Sequence, residues 1–170
     1  GVNHLGHFAL TLGLLPALRE AKAARVVTLT SSGHRVSDVR FEDIHFRHRP
    51  YDPYEAYGQS KTATALFAVG LTQRYASDGI TANAVHPGGV MTGLFRHVPR
   101  DEQIRRGWID PLGSVSPHFK TVEQGAATTI WAAVARELAG RGGLYLDDCA
   151  VAEAMPDDQP STGAGGYRPG

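Results

Sequence analysis

Residues 53–76 read PYEAYGQSKTATALFAVGLTQRYA and stand between two short runs, RVVTLTS at 25–31 and ITANAVHP at 80–87. Pro53 can open a helix, because the amide hydrogen it lacks would have no partner in a first turn anyway. The segment then continues without a breaker to Ala76, where DGI stops it. RVVTLTS is β-branched and too short for a helix, and as a largely apolar run it suits a strand covered on both faces. ITANAVHP ends at Pro87 and the pair Gly88-Gly89, as a second strand would. A helix joining two such strands predicts a βαβ unit in a parallel sheet.

The pattern extends outward on both sides. Leu5, Phe8, Leu12 and Leu15 recur at helical spacing and predict a helix over 3–20 with one apolar face. Residues 32–52 are polar, contain Pro50 and read as a long excursion, a kind of loop that is usually functional or mobile. Residues 92–118 are irregular, with a short helix around 101–106. A further helix is expected over 121–138 with Thr121 as its N-cap, and GGLYL at 142–146 is a last strand. Fold class is therefore α/β, with about three parallel strands and flanking helices. Residues 1–150 make one domain, and 151–170, ending in DDQPSTGAGGYRPG, read as loop or disorder.

The composition narrows the function classes. Lys+Arg and Asp+Glu are both 17, so no net charge points to nucleic acid or an anionic surface. One cysteine, Cys149, cannot close an internal disulfide, which fits a reducing compartment. No apolar run approaches the roughly 20 residues of a membrane span. A soluble, cytoplasmic protein that binds a small molecule is the expectation.

The chemistry is concentrated in YGQSK. Tyr57 and Lys61 are four apart, so a helix places them on one face. A free phenol ionises near pH 10, about three units too high for proton transfer at neutrality, and a neighbouring cation favours the phenolate. Such a tyrosine can give a proton to a developing alkoxide or take one from an alcohol. Taken alone, the pair is more often an ordinary helix surface. Ser31, at the end of the first strand, stands where an α/β sheet has its ligand crevice. Pro87-Gly88-Gly89 ends the next strand, where a backbone without side chains can approach a flat ring. Asn3, a mediocre helix former inside a helical pattern, needs a reason to be there. His4 and His7 read as packing or surface residues, and no His/Cys/Asp grouping has zinc spacing.

VNHLGHF (2–8), SSGH (31–34), YGQSK (57–61) and NAVHPGGVMT (83–92) occur in the order and setting of the short-chain dehydrogenases/reductases. The wording resembles the retinol-dehydrogenase-like and WW-domain-oxidoreductase-like branch, and the resemblance covers nearly the whole chain. It implies a Rossmann-like doubly wound sheet and hydride transfer between an alcohol or carbonyl and a nicotinamide cofactor. The cofactor is NAD or NADP, with a lean to NADP from the branch. It further implies Tyr57 as general acid/base and Lys61 as its tuning cation and ribose ligand. Ser31 polarises the substrate oxygen, with Ser32 as the alternative. Asn3 holds a relay water, and Pro87, Gly88, Val90 and Thr92 border the nicotinamide. Met91, Phe95, Trp108 and Leu112 fall in the family's substrate lid, as lid contacts or as plain filler. His86 is expected to be structural, and Asp147, Asp148 and Cys149 to form a polar strand exit. Arg35, Arg40, Arg47, His48 and Arg49 are interleaved with acids and read as a solvated face. A homodimer through helices 3–20 and 53–77 is the implied assembly.

One part of that machinery is missing from these residues. A dinucleotide needs a glycine-rich turn between a strand and a helix N-terminus, and the chain contains no G-x-G-x-x-G or TGxxxGxG. In family terms it begins after the phosphate-binding strands. The expectation is a piece corresponding to the C-terminal half of such an enzyme, inactive alone, with an open sheet edge along RVVTL. A truncated, non-enzymatic dimerisation module is the alternative.

Overall fold

The computed structural model describes residues 1–155; most of the expected 151–170 tail lies outside them. The βαβ unit is present as expected. Strand β1 (Ala24–Leu29) leads through helix α2 (Pro53–Tyr75) to β2 (Ile80–His86), parallel to β1 with Ala24 opposite Ile80 and Leu29 opposite Val85. Asp52 caps α2 by accepting the Glu55 amide at 2.7 Å, and Pro53 occupies the first turn. Strand β3 (Tyr145–Asp147) pairs parallel with the C-terminal half of β2.

Period-two alternation in β2 divides the core in two. Ile80, Ala82 and Ala84 join Ala68 and Leu71 of α2 and Leu15 of α1 (His7–Glu20) on one face. Val85 joins Leu146 of β3 and Ala132 of α4 (Val122–Val134), the helix that follows the short α3 (Arg100–Arg105), on the other. With helices on both faces, every β2 residue before His86 is buried. Strand β1 is one edge of the sheet among the described residues, as the sequence implied.

Several details differ from expectation. A fourth strand, β4 (Ala150–Val151), returns antiparallel to β3, so Asp148 and Cys149 form a hairpin turn, with φ of 48° and 55°. Two positive φ values with this spacing make a primed hairpin turn. Residues 2–6 form one π-helical turn before α1. Of the expected apolar face only Leu15 is buried; Leu5, Phe8 and Leu12 are exposed, because α1 meets the core through Thr11, Leu15 and Leu18. Helix α4 stops at Val134, four residues early, where Ala135 turns extended. Its Thr121 cap is a full capping box with Gln124. No helix of the described residues is long and apolar enough to cross a membrane.

Candidate active site

Each residue of YGQSK has a distinct structural task. Gly58 lets α2 touch the turn that follows β1: a Cβ there would lie 2.8 Å from the Gly33 carbonyl oxygen and 3.1 Å from the Ser37 nitrogen. Gln59 is buried and ties down the long excursion, accepting the Arg40 amide and donating to the Ile44 carbonyl, both at 3.0 Å. Ser60 donates to the Tyr57 carbonyl at 2.7 Å and accepts from Asn3 Nδ2 at 3.2 Å. Tyr57 and Lys61 remain, on one face, aimed at the end of β1.

There the pair meets Ser31. A Cβ on Gly33 would stand 2.7 Å from Tyr57 Cε1 and 3.4 Å from Ser31 Oγ, so the phenol ring and the hydroxyl share one point. Ser31 Oγ accepts the Gly33 amide at 3.1 Å, so its own hydrogen is the one that can reach a substrate oxygen. Lys61 Nζ lies 5.5 Å from the Tyr57 ring centroid and donates to the Leu29 carbonyl at 2.9 Å. Burial lowers the Lys61 ammonium below its ordinary range. Thr30, between Leu29 and Ser31, donates to the Lys61 carbonyl at 2.8 Å and locks strand end to helix.

Asn3 reaches α2 rather than Lys61 itself. Its amide meets Ser60, and its carbonyl accepts Thr64 Oγ1 at 3.1 Å. Both contacts are made from the π-helical turn, and the side-chain bond to Ser60 is what asparagine adds at this position.

Pro87 follows His86 at the end of β2, one strand away from Ser31; the Thr30 amide donates to Val85 at 2.9 Å and fixes that spacing. Gly88 has φ of 85°, a backbone that side chains disfavour, and the Lys120 side chain lies over its bare face. Val90 packs on Gly125 of α4, where a Cβ would overlap its methyl. Thr92 is exposed and accepts the Leu94 amide at 3.3 Å. Thus Ser31, Tyr57 and Lys61 converge, Pro87 and Gly88 stand at the neighbouring strand end, and Val90 and Thr92 lead away from it.

The remaining candidates separate clearly. His4 packs between Phe8 and Phe67, and burial lowers its pKa. His86 is half-buried and its pKa is also lowered, chiefly by burial. Among the described residues no group of His, Cys, Asp or Glu could hold a metal ion. Phe95 stacks edge-on against Trp108 and Phe119, with centroids at 4.9 and 5.8 Å, whereas Leu112 is 91% exposed. The basic cluster is not one solvated face. Arg35 is buried, and Arg40 and Arg49 both pair with Glu55, which anchors the excursion to α2. Sequence reasoning missed Gly33, Gly58 and Gln59; only Gly58, a glycine inside a helix, carried a signal.

A tyrosine, a lysine and a serine thus converge at the C-terminal ends of parallel strands, where open α/β sheets have their ligand crevice. Residues 1–133 match the enoyl-(acyl carrier protein) reductase family model. A probable oxidoreductase of Streptomyces lividans is 47% identical, covering 95% of this chain and 54% of the relative. Polyprenol dehydrogenase of Mus musculus is 47% identical over 91% of this chain and 46% of its own length. Retinol dehydrogenase 12 of Mus musculus is 42% identical over 88% and 45%. Among solved structures, an uncharacterised protein from Mycobacterium paratuberculosis superposes with a TM-score of 0.61 at 33% identity, covering 85% of this chain and 43% of that one. The chain belongs to the short-chain dehydrogenase/reductase family. It spans about half the length of the curated relatives it matches.

Proposed function

We propose that this chain carries the catalytic part of an NAD(P)-dependent oxidoreductase that interconverts an alcohol and a carbonyl. The convergence of Tyr57, Lys61 and Ser31 supports it most strongly. Ser31 Oγ donates to the carbonyl oxygen and holds it beside the phenol. Tyr57 gives that oxygen its proton in reduction and removes it in oxidation. Lys61, with donors beyond the one on Leu29, steadies the phenolate and reaches a ribose hydroxyl. Asn3, braced on Ser60 and Thr64, holds the relay water on the same side of α2. A nicotinamide bound against Pro87, Gly88, Val90 and Thr92 would supply or accept the hydride. NADP accompanies gluconate 5-dehydrogenase of Burkholderia cenocepacia, a fold neighbour at a TM-score of 0.61, and NADP is the cofactor we favour. The polyprenol and retinol in the relatives' names put apolar alcohols first among substrates.

These 170 residues hold donors for the nicotinamide end and no glycine-rich turn for the pyrophosphate. The isolated chain is therefore expected to bind NAD(P)H negligibly; saturable enhancement of cofactor fluorescence would refute this. In the active gene product that carries the segment, Tyr57→Phe is expected to abolish turnover while leaving the melting temperature unchanged. Full activity in that variant would overturn the mechanism.

A second reading, an assembly module, is favoured by one observation. Helices α1 and α2 and residues 39–51 line a groove of about 1130 Å³ that exposes Leu5, Phe8, Phe41 and Leu66. A second copy packed through α1 and α2 would cover this surface.

A further inference from the structure

We propose that His34 is a positioning residue, which holds Ser31 and the seat of Tyr57 through a buried strut to Tyr145 on β3. The proposal rests on the oxidoreductase reading above. The Ser31 carbonyl faces two donors from one residue, the His34 amide at 3.0 Å and the ring Nδ1 at 2.7 Å. A carbonyl oxygen only accepts, so Nδ1 carries the hydrogen and the imidazole is in its Nδ1–H form. Tyr145 Oη stands 3.3 Å from the same Nδ1, with the two ring centroids 5.1 Å apart. With the Nδ1–H directed at Ser31, the Tyr145 oxygen takes the minor share of it. Both side chains are buried, at 6% and 7% exposure, so the strut is shielded from water and has little room to shift.

The strut acts on two reacting groups at once. His34 belongs to the tight turn Ser32–Val36. That turn presents the Gly33 amide to Ser31 Oγ and the bare face of Gly33 to the Tyr57 ring. Anchoring the turn at the Ser31 carbonyl fixes where the hydroxyl points and where the ring rests. A turn free to shift by a few tenths of an ångström would lose both placements together, whereas Lys61, held by Leu29, would stay.

Three variants separate positioning from packing. His34→Phe keeps an aromatic ring and removes the N–H; His34→Asn keeps a side-chain N–H at the place of Nδ1; Tyr145→Phe removes only the far oxygen. In the active gene product, His34→Phe is expected to lower kcat about tenfold with KM nearly unchanged, the worth of one buried hydrogen bond. His34→Asn is expected to restore most of it, and Tyr145→Phe to have a smaller effect of the same kind. In the 170-residue chain, amide exchange at Gly33 is expected to quicken in His34→Phe and not in His34→Asn. Wild-type kcat and Gly33 exchange in His34→Phe would overturn the proposal. So would equal impairment of the Phe and Asn variants with a matching fall in melting temperature, which would make the ring a filler. Full turnover in Tyr57→Phe would instead refute the oxidoreductase reading, and Gly33 exchange would still decide the strut.

Discussion

Gly33 shows how a residue without a side chain can shape a reaction face. Its φ is not positive, so alanine meets no backbone strain there, and the conflict is with the Tyr57 ring alone. Ring atoms at 2.7 and 2.9 Å from the new Cβ cannot stay where they are. Gly33→Ala is expected to push the phenol away from Ser31 and lower kcat by about tenfold or more, since small misplacements of reacting groups carry penalties of that order. The melting temperature should move by no more than about 2 °C, because a half-buried ring can swing outward. A variant with unchanged kcat would show that the ring tolerates displacement and that the seat is not needed.

At the scale of elements, β3 joins the site to the core. Burial, with Asp147 and Tyr57 adding to it, raises the Tyr145 phenol above its ordinary range, and Arg35 opposes in part. The folded chain keeps this proton at a pH where the unfolded chain has released it. Stability from this source is fully present below about pH 10, the ordinary phenol value, and is lost as pH rises beyond it. Lys61 acts in the opposite sense: its lowered pKa makes the buried ammonium a burden that eases as pH rises. Comparison of wild type with Tyr145→Phe isolates the phenol. Urea midpoints from about pH 8 to pH 11 should fall in the wild type and flatten in the variant. Parallel curves would assign the alkaline loss to another group.

For the whole molecule, the exposed apolar surface is the main physical problem. Leu5, Phe8, Leu12 and Leu66 are apolar and wet, and among the described residues β1 offers an open ladder of backbone groups. If copies pair through α1 and α2, Leu66→Glu places a charge in the middle of the contact and should yield monomers in sedimentation at concentrations where the wild type is dimeric. The core faces away from Leu66, so the variant should melt within about 2 °C of the wild type. A dimer that survives Leu66→Glu would place the contact elsewhere, with the β1 edge next to test.

What the sequence determined by itself is what depends on short-range chemistry. Pro53 and Asp52 start α2, four-residue spacing puts Tyr57 and Lys61 on one face, and the short runs RVVTLTS and ITANAVHP on either side of the helix read as strands. Together these fix the βαβ order and half of the candidate site. The tertiary structure alone decided which surfaces meet. It placed Ser31 at the Tyr57 ring through Gly33 and Gly58. It buried Arg35 and His34 although both lie in a polar stretch. It also left Leu5, Phe8 and Leu12 in solvent, although their spacing matches that of a buried face. The reason is physical: spacing along a helix fixes which residues share a side, and only the packing of α1 and α2 on the sheet fixes which side is covered.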